Sequence, residues 1–372
     1  MVNIFQFKIW HNLFSFQYNA IMKILIIALS GIGDALMFTP ALKLLRSALP
    51  SAQIDALVMF NGTKEIYDDN PNLNNIILFD FLKEGALSSF NFVLGLRNKY
   101  DATVNVYPSN RKEYNIISFL IGAKQRAAVD YLRMHKQNLG WLNNVMIEEN
   151  DSVHNVQTNI KLIEKLLYKS LRDEPALEIF LSKADKLFAI EFLSIKKIND
   201  DDLVIGFHAG CATLKNHIKR RWEPGKFAEL GKKLIKEKNA KIFLFGGQEE
   251  SELKSSINTM IDSDNCYIIS TQSFKQNIAI MKRCNVFVTN DSALMHVASA
   301  LQLKVIAIIG PTNTCYIRPW KTEHKIVSLN LECSPCFFYS PKPLTCSLTD
   351  VQFKCIKELD VEMVYKELSA IQ

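Results

Sequence analysis

The chain has 372 residues, of which 48% are hydrophobic and 22% are charged. This length fits two domains, and the composition excludes both an extended disordered protein and a protein with many membrane spans. The net charge of +6 favours an anionic ligand or a membrane face, but it is too small to predict nucleic-acid binding. The eight cysteines lack the density of a small secreted disulfide scaffold, so we predict a cytoplasmic protein.

Residues 1–21 are rich in aromatic side chains and end directly before a second methionine, Met22. We interpret them as an N-terminal extension, because the apolar run that follows is too short for a signal peptide. A peripheral membrane role and an upstream start codon explain this segment equally well. No stretch of the sequence reaches the roughly 18–20 apolar residues that a membrane span requires.

From Met22 onwards, short apolar runs alternate with longer amphipathic segments, which is typical of βα units around a parallel sheet. In the first half this pattern predicts strands at 23–28, 54–58, 75–79 and 102–106, and helices at 35–48, 88–98, 115–121 and 157–168. In the second half it predicts strands at 204–208, 241–245, 266–269, 286–289 and 305–309, and helices at 225–238, 249–261, 274–282 and 293–300. The predicted fold class is therefore α/β, with two facing Rossmann-like domains that each contain a parallel sheet.

The charged segment at 183–202 shows no strand or buried-helix pattern, and we place the domain boundary there. The predicted domains are residues 22–190 and 191–372. Two facing Rossmann-like domains leave a cleft where the carboxyl ends of both sheets converge. Ligands are expected in this cleft.

The first strand is followed by a turn at residues 30–34 that contains Gly31 and Gly33 and leads into a helix. The glycines let backbone N–H groups approach a ligand, so we predict an acceptor or phosphate loop here. A dinucleotide fingerprint would need a third glycine at position 36, and a P-loop motif is also missing. Asp34 is the one carboxylate of this turn, and it is either a helix N-cap or a general base that faces the cleft.

Further polar turns follow the strands of the second half. Gly210 comes after the first of these strands and precedes a basic run that includes Lys219 and Arg220. Cations beside turn N–H groups are typical of a diphosphate site, although a solvated basic loop gives the same pattern. Glu249 and Glu250 follow the next strand, where an acid either binds a ribose diol or favours the start of a helix.

The segment 289–296 has the order strand, polar turn, helix, and it contains Asn290, Asp291, Ser292 and His296. Ser292 is predicted to be the helix N-cap, and the N–H groups behind it form an anion site. His296 lies about one turn into the helix. It either points back towards the same ligand or packs as a core histidine.

In this order, the motifs resemble those of glycosyltransferase family 9, from about Met22 to the C-terminus. The resemblance rests on GIGDALMFTPALKLLRSALP, the HAG and KRRW strings, FGGQEE, a terminal CSPC box and, most specifically, NDSALMHVASALQLKVIAIIGPT. The sequence departs from the family pattern at Arg220, where a lysine is usual, at Glu223, which separates Trp222 from its proline, and at Ala293, where a glycine is usual. The departures at Arg220 and Ala293 bear on the identity of the donor more than on the class of reaction.

The resemblance implies a GT-B architecture, with the acceptor on the first domain and a nucleotide-sugar donor on the second. It also implies metal-independent, inverting transfer of an ADP-activated heptose to a lipid-linked saccharide at the cytoplasmic face of the inner membrane, with peripheral membrane contact. Asp34 matches the aspartate thought to act as the base. The donor-binding residues that the motifs and the resemblance indicate together are Gly210, Thr213, Lys219, Arg220, Glu249, Glu250, Asn290, Asp291, Ser292 and His296.

Four cysteines near the C-terminus have a spacing that fits a structural zinc site: Cys333, Cys336, Cys346 and Cys355. The second pair lacks the tight spacing of the first. Reduced buried thiols or a partial disulfide pair explain the same spacing.

We therefore predict an inverting glycosyltransferase that requires no cofactor for catalysis. Asp34 takes the proton of the acceptor hydroxyl, while Lys219, Arg220 and the helix N-terminus near Ser292 stabilise the departing nucleoside diphosphate. No DxD carboxylate pair stands at a donor-site turn, which agrees with this division of roles. The alternatives are a nucleotide-sugar 2-epimerase of the same fold and a non-catalytic nucleotide-sugar-binding protein.

Overall fold

The computed structural model of the protein describes residues 21–134, 136–339 and 342–371. Apart from Ile21, the predicted N-terminal extension lies outside the described residues. Among the residues that are described, no helix is both long and apolar enough to cross a lipid bilayer.

The first half of the described chain contains the strands β1 (Lys23–Ala28), β2 (Gln53–Val58), β3 (Asn75–Leu78), β4 (Ala102–Asn105), β5 (Gln125–Asp130) and β6 (Val145–Glu148). Its helices are α1 (Ile32–Ala48), α2 (Asn61–Tyr67), α3 (Gly85–Gly95), α4 (Lys112–Ile121) and α5 (Asn155–Leu167). The strands form a six-stranded parallel sheet in the order β3-β2-β1-β4-β5-β6. Apolar runs such as KILIIA in β1 form its buried centre.

The second half contains the strands β7 (Val204–His208), β8 (Lys241–Leu244), β9 (Cys266–Ile268), β10 (Val286–Asn290), β11 (Lys304–Ile308) and β12 (His324–Val327). Its helices are α6 (Lys183–Ile195), α7 (Pro224–Lys238), α8 (Ser251–Ile261), α9 (Phe274–Met281), α10 (Ala293–Ala300), α11 (Thr314–Ile317), α12 (Lys354–Lys357) and α13 (Val361–Ile371). The sheet order is β12-β11-β10-β7-β8-β9, which repeats the topology of the first sheet. In each sheet the strand order reverses beside the first strand of the half, and ligands bind at such switch points.

A continuous hydrophobic cluster joins the two halves. It contains Ile24 of β1 and Leu36 of α1 together with Phe287 of β10 and Met295 of α10. Helices α1 and α10 pack against each other between the two sheets. Because both helices begin at strand ends, the turns after β1 and β10 face each other.

The structure confirms the predicted α/β class with two parallel sheets. Strands β1 and β7 and helix α10 have the predicted bounds, and the other predicted elements lie within three residues of theirs. Sequence patterns missed β5, β6 and β12, which lie in the outer half of each sheet and begin or end with polar or charged residues.

The segment 183–202, for which no element is predicted, contains helix α6. A capping box between Ser182 and Asp185 starts this helix, which then packs half-buried side chains such as Phe192 near Phe243 of β8. The remaining face of α6 is exposed, which explains why no buried-helix pattern is visible. The domain boundary at residues 190 and 191 falls inside α6 and stays a prediction.

Candidate active site

A cavity of about 460 Å³ opens between the two halves, and we call it the interdomain cavity. One wall comes from the turn after β1 and the loop after β4, and the other from the N-terminus of α10 and the loop after β7. The switch points of both sheets therefore contribute to one space. The ionisable side chains that line it include Asp34, Arg111, Lys215, Arg220, Asp291 and Tyr339.

Asp34 lies in the first turn of α1, and its half-buried side chain lines the interdomain cavity. The N-cap of α1 is Gly31, so the alternative interpretation of Asp34 as the N-cap is wrong. The surrounding protein removes water from the carboxyl group, and this burial raises the pKa of Asp34 to about 7. The Gly31 N–H lowers the pKa and the Asp291 charge raises it, while Arg220 and Ser30 lower it.

Asp291 and Arg220 form a buried ion pair in the wall opposite Asp34. Thr312 donates a further hydrogen bond to Asp291 Oδ2 at 2.6 Å. The Arg220 guanidinium lies over the ring of Phe337, 5.4 Å from its centroid, and its Nε atom has no hydrogen-bond partner among the described residues. The ion pair therefore holds the Arg220 guanidinium at the cavity, and its Nε–H group remains available to donate a hydrogen bond.

Asn290 is fully buried and fixes the loop that carries the basic run. Its Oδ1 accepts the backbone N–H of Trp222 at 2.9 Å, and its Nδ2 donates to the carbonyl of Ala209 at 2.8 Å. Trp222 is itself buried, with its indole N–H bonded to the carbonyl of Leu359. Asn290 thus connects the end of β10 to the loop after β7 and does not reach either cavity directly.

Ser292 is the N-cap of α10 by position, as predicted, but its hydroxyl does not cap the helix. It lies 2.9 Å from Nδ1 of His208 and 3.1 Å from the hydroxyl of Thr289. Among the described residues, the first N–H groups of α10 thus receive no capping hydrogen bond from the N-cap side chain. These N–H groups point towards the cavities, where the helix dipole favours an anion.

Glu250 is buried and forms the other end of this network. His208 Nε2 lies 3.0 Å from Glu250 Oε2, and the Gly247 N–H donates to the same oxygen at 3.2 Å. Burial raises the pKa of Glu250, but the His208 contacts, the Gly247 N–H and the charge of Arg221 outweigh it and leave the pKa below its ordinary value. The carboxylate also packs on Gly210, where a Cβ would lie 1.6 Å from Glu250 Oε1. Glycine is therefore required at position 210.

A second cavity, of about 550 Å³, lies in the second half; we call it the second-domain cavity. It is lined by the loop after β7 and the turn after β8, and by residues before and within α9. Ser292 and Ala293 line both cavities, so the N-terminus of α10 lies where the two spaces meet. An elongated ligand can therefore extend from one cavity into the other past this helix end.

The structure brings most of the predicted donor-binding residues to these cavities. Thr213 and the exposed Glu249 line the second-domain cavity, whereas Lys219 is exposed and lines neither cavity. His296 is buried but is among the residues that line the interdomain cavity, and burial lowers its pKa to about 4, so the ring is neutral at pH 7. A Cβ at Gly33 would lie 2.9 Å from Cδ2 of His296, whereas a Cβ at Gly31 would meet nothing within 4 Å.

Sequence reasoning missed several residues of the interdomain cavity. Arg111 and Lys215 come from opposite halves, and their signal is a basic residue directly after a strand-end turn. Tyr339 gives no such signal, because it lies far along the chain in the C-terminal segment. It is held by first-domain amides: Asn110 Nδ2 donates to its carbonyl at 2.8 Å and Asn155 Nδ2 to its hydroxyl at 2.6 Å.

The four C-terminal cysteines are reduced and lie near one another. Burial and the neighbouring Cys336, Cys346 and Cys333 thiols raise the pKa of Cys355 to about 11. Cys346 Sγ accepts the backbone N–H of Phe353 at 3.2 Å. Within the described part of the chain, no three His, Cys, Asp or Glu side chains are grouped closely enough to hold a metal ion.

A family model described as glycosyltransferase family 9 (heptosyltransferase) matches residues 92–344. The chain belongs to glycosyltransferase family 9. It is thus a glycosyltransferase, and the epimerase and non-catalytic alternatives lose their support. The family match covers parts of both halves, including the turns after β4, β7, β8 and β10.

Relatives of known name agree with this assignment. Lipooligosaccharide heptosyltransferase 2 of Campylobacter jejuni is 26% identical over 93% of this chain and 97% of its own length. The solved structure of E. coli ADP-heptose LPS heptosyltransferase II has a TM-score of 0.71 at 21% identity and covers 94% of this chain and 98% of that one. E. coli heptosyltransferase WaaC with ADP-2-deoxy-2-fluoro heptose has a TM-score of 0.65 at 18% identity, over 94% and 99% of the two chains. Both structures show that the fold of this family 9 member is the GT-B fold.

Proposed function

We propose that this family 9 enzyme moves a heptose or a similar sugar from an ADP-sugar to a lipid-linked saccharide of the lipopolysaccharide core, with inversion at the anomeric carbon. The observation that carries the proposal is the junction of the two cavities at the N-terminus of α10. The second-domain cavity has room for a nucleoside, the helix N-terminus suits its diphosphate, and the interdomain cavity takes the sugar and the acceptor.

The acceptor hydroxyl transfers its proton to the Asp34 carboxylate while its oxygen attacks the anomeric carbon. The bond between that carbon and the phosphate oxygen breaks, and the electron pair leaves with the nucleoside diphosphate. A pKa of about 7 suits Asp34 to this role, because a base whose pKa lies near the working pH is partly ionised yet still basic. The acceptor oxygen attacks from the side of Asp34, opposite the leaving group. This direction of attack inverts the configuration at the anomeric carbon.

The protein provides several groups that stabilise the departing diphosphate. The uncapped N–H groups of α10 meet its negative charge, and Arg220 holds a cation beside them. Glu249 is exposed at the second-domain cavity, and its carboxylate can accept hydrogen bonds from the ribose hydroxyls. Glu250 is already occupied by His208 and the Gly247 N–H, and so positions the loop around the donor.

The donor and the acceptor are proposed from the relatives. The E. coli structure in complex with ADP-2-deoxy-2-fluoro heptose and the named heptosyltransferases support an ADP-heptose donor. Their lipopolysaccharide and lipooligosaccharide names support a saccharide acceptor that is anchored in a membrane. We therefore place the enzyme in the cytoplasm, in peripheral contact with the inner face of the inner membrane.

The spacing of the four C-terminal cysteines is the ground for proposing a structural zinc site. Their thiols influence one another, but among the described residues they are not grouped closely enough to hold a metal ion as they stand. A bound zinc ion would have to draw the CSPC turn and Cys355 of α12 together. The catalytic steps above do not pass through this site.

The proposal is tested by incubating the purified enzyme with ADP-heptose and a heptose-deficient lipopolysaccharide acceptor. We expect release of ADP together with a saccharide lengthened by one heptose, and NMR of the new linkage should show inverted anomeric configuration. An epimerised sugar nucleotide, or release of ADP without lengthening of the acceptor, would contradict the proposal. Asp55→Asn is the matched control for Asp34→Asn, because Asp55 is a buried first-domain carboxylate on β2, bonded to Tyr100 at 2.9 Å and not among the cavity-lining residues.

A further inference from the structure

Helix α3 presents apolar side chains to solvent. Leu87 is 74% exposed and Phe90 is 47% exposed, and Leu82 in the turn before the helix is 65% exposed. Leu87, Phe90 and Leu94 follow each other at helical spacing, so they form a stripe along one side of α3. Contiguous apolar surface of this kind marks a site of contact with another molecule.

The inward side of α3 already has its partners. Val93 is buried, and the ring of Phe92 stacks on Phe79 with 3.9 Å between centroids. The helix therefore carries apolar side chains on its inward side and in the exposed stripe, while its exposed polar residues are Ser88 and Asn91. A surface helix that packs on one face alone normally carries polar residues on the other.

Neighbouring segments extend the apolar stripe. Helix α4 packs beside α3 and exposes 49% of Phe119, and Trp141 lies in a short 3-10 helix that contacts α4 and is 66% exposed. We call Leu82, Leu87, Phe90, Phe119 and Trp141 together the outer apolar face. This face lies on the side of the first sheet turned away from α1, because α3 and α4 cover the cluster around Leu25 and Ile27.

Positive charge accompanies the outer apolar face. Residues 81–126 contain seven Lys or Arg residues and three Asp or Glu residues, in a chain whose total net charge is only +6. Exposed cations stand at both ends of α3, with Lys83 before it and Arg97 and Lys99 after it. Lys112 is the first residue of α4, and Lys124 follows its end; both are exposed.

We propose that the outer apolar face docks the enzyme onto a lipid bilayer that contains anionic lipids. Leucine, phenylalanine and tryptophan side chains enter the boundary between headgroups and acyl chains, and the surrounding lysines and arginines bind anionic headgroups. A second copy of the chain is a poorer partner. Two identical faces would bring their basic rims against each other, and like charges across an interface are repelled.

The position of this face suits the proposed function, and the inference rests on the part of it that places the acceptor in a membrane. Helices α3 and α4 both begin at the sheet edge that borders the interdomain cavity, and Arg111 and Tyr114 at the start of α4 line that cavity. Docking through α3 and α4 therefore brings the cavity near the headgroups. A lipid-anchored saccharide could enter it without leaving the bilayer.

The test is flotation of the full-length enzyme with vesicles of phosphatidylethanolamine and phosphatidylglycerol. We expect binding that weakens at high salt and is lost with vesicles of phosphatidylcholine alone. Leu87→Ser combined with Phe90→Ser should lower the vesicle partition coefficient at least ~10-fold, because two apolar side chains no longer enter the interface. Arg97→Gln should lower it roughly 5-fold on the anionic vesicles at low salt, and by less at high salt.

Leu187→Ser combined with Ile190→Ser is the matched control, since both residues are exposed apolar side chains of α6 in the second half. Equal losses in both double variants, or full binding by the α3 variant, would overturn the inference. A dimer in sedimentation velocity that disappears in the α3 variant would instead identify a second copy as the occupant. Calorimetry with ADP and transfer to a delipidated acceptor should be unchanged in the α3 variant, which separates failure of docking from failure of the proposed function.

Discussion

Replacing Asp34 by asparagine should stabilise the folded protein at neutral pH while it removes most of the turnover. The carboxyl group ionises at about 3.8 in the unfolded chain and at about 7 in the folded one. Between these values the folded state holds a proton that the unfolded state has lost, so stability falls as pH rises through this window. The cost is absent below about pH 4 and complete above about pH 7.

The size of the effect follows from the difference between 3.8 and about 7. At ~1.4 kcal/mol per pH unit, full ionisation of Asp34 costs at most about 4 kcal/mol. Asparagine is never ionised, and its side-chain oxygen can still accept the Gly31 N–H. Allowing for partial hydration from the cavity, we expect Asp34→Asn to raise the free energy of unfolding by roughly 2–4 kcal/mol at pH 8.

The assay is urea unfolding of the wild type and Asp34→Asn at pH 4.5, 6 and 8, alongside steady-state turnover. The stability difference should grow from at most about 1 kcal/mol at the lowest pH to its maximum at the highest, and turnover of the variant should fall by roughly 10²–10⁴. Wild-type turnover should rise with pH up to about 7 and then level off, because Asp34 accepts a proton only when ionised. A stability difference that is absent at pH 8 or independent of pH, or retained turnover, would refute the reasoning; Asp55→Asn, which lies away from both cavities, should keep its turnover.

Three further outcomes follow from the site. Gly33→Ala should destabilise the protein by roughly 1–3 kcal/mol in thermal unfolding, since the added Cβ would lie 2.9 Å from His296, while Gly31→Ala, with nothing within 4 Å, should leave it unchanged. His296→Ala should weaken ADP binding in calorimetry by roughly 1–3 kcal/mol, and Asp55→Ala should not; equal affinities would move the donor away from α10. Enzyme purified without chelators should contain about one zinc per chain by elemental analysis. Cys336→Ser should lose the zinc and melt at a lower temperature. Wild-type enzyme without metal would contradict the proposed cysteine site.

Sequence patterns predicted the parts of the fold that repeat a simple rule. The alternation of apolar runs and amphipathic segments places β1, β7 and α10 with their observed bounds, and three strand-end turns in the second half do meet around the second-domain cavity and the helix end beside it. The pattern could not show that Glu250 is bonded to His208, or that Asp291 is paired with Arg220, because those partners lie 42 and 71 residues away along the chain. Nor could it show that Asp34 is desolvated, since burial depends on how both halves pack.

The hydrophobic cluster runs from β1 through α1 and α10 to β10, so the two halves share one core and are not expected to fold separately. A chain cut between its halves would leave each fragment with an open apolar surface where the other had been. Donor binding and acceptor binding therefore cannot be studied on the separate fragments. The intact chain should unfold on heating in a single calorimetric peak. Asp34 lies on α1, and the helix end proposed to bind the diphosphate belongs to α10. A substitution that changes the packing between these two helices would therefore also change the distance between the base and the leaving group.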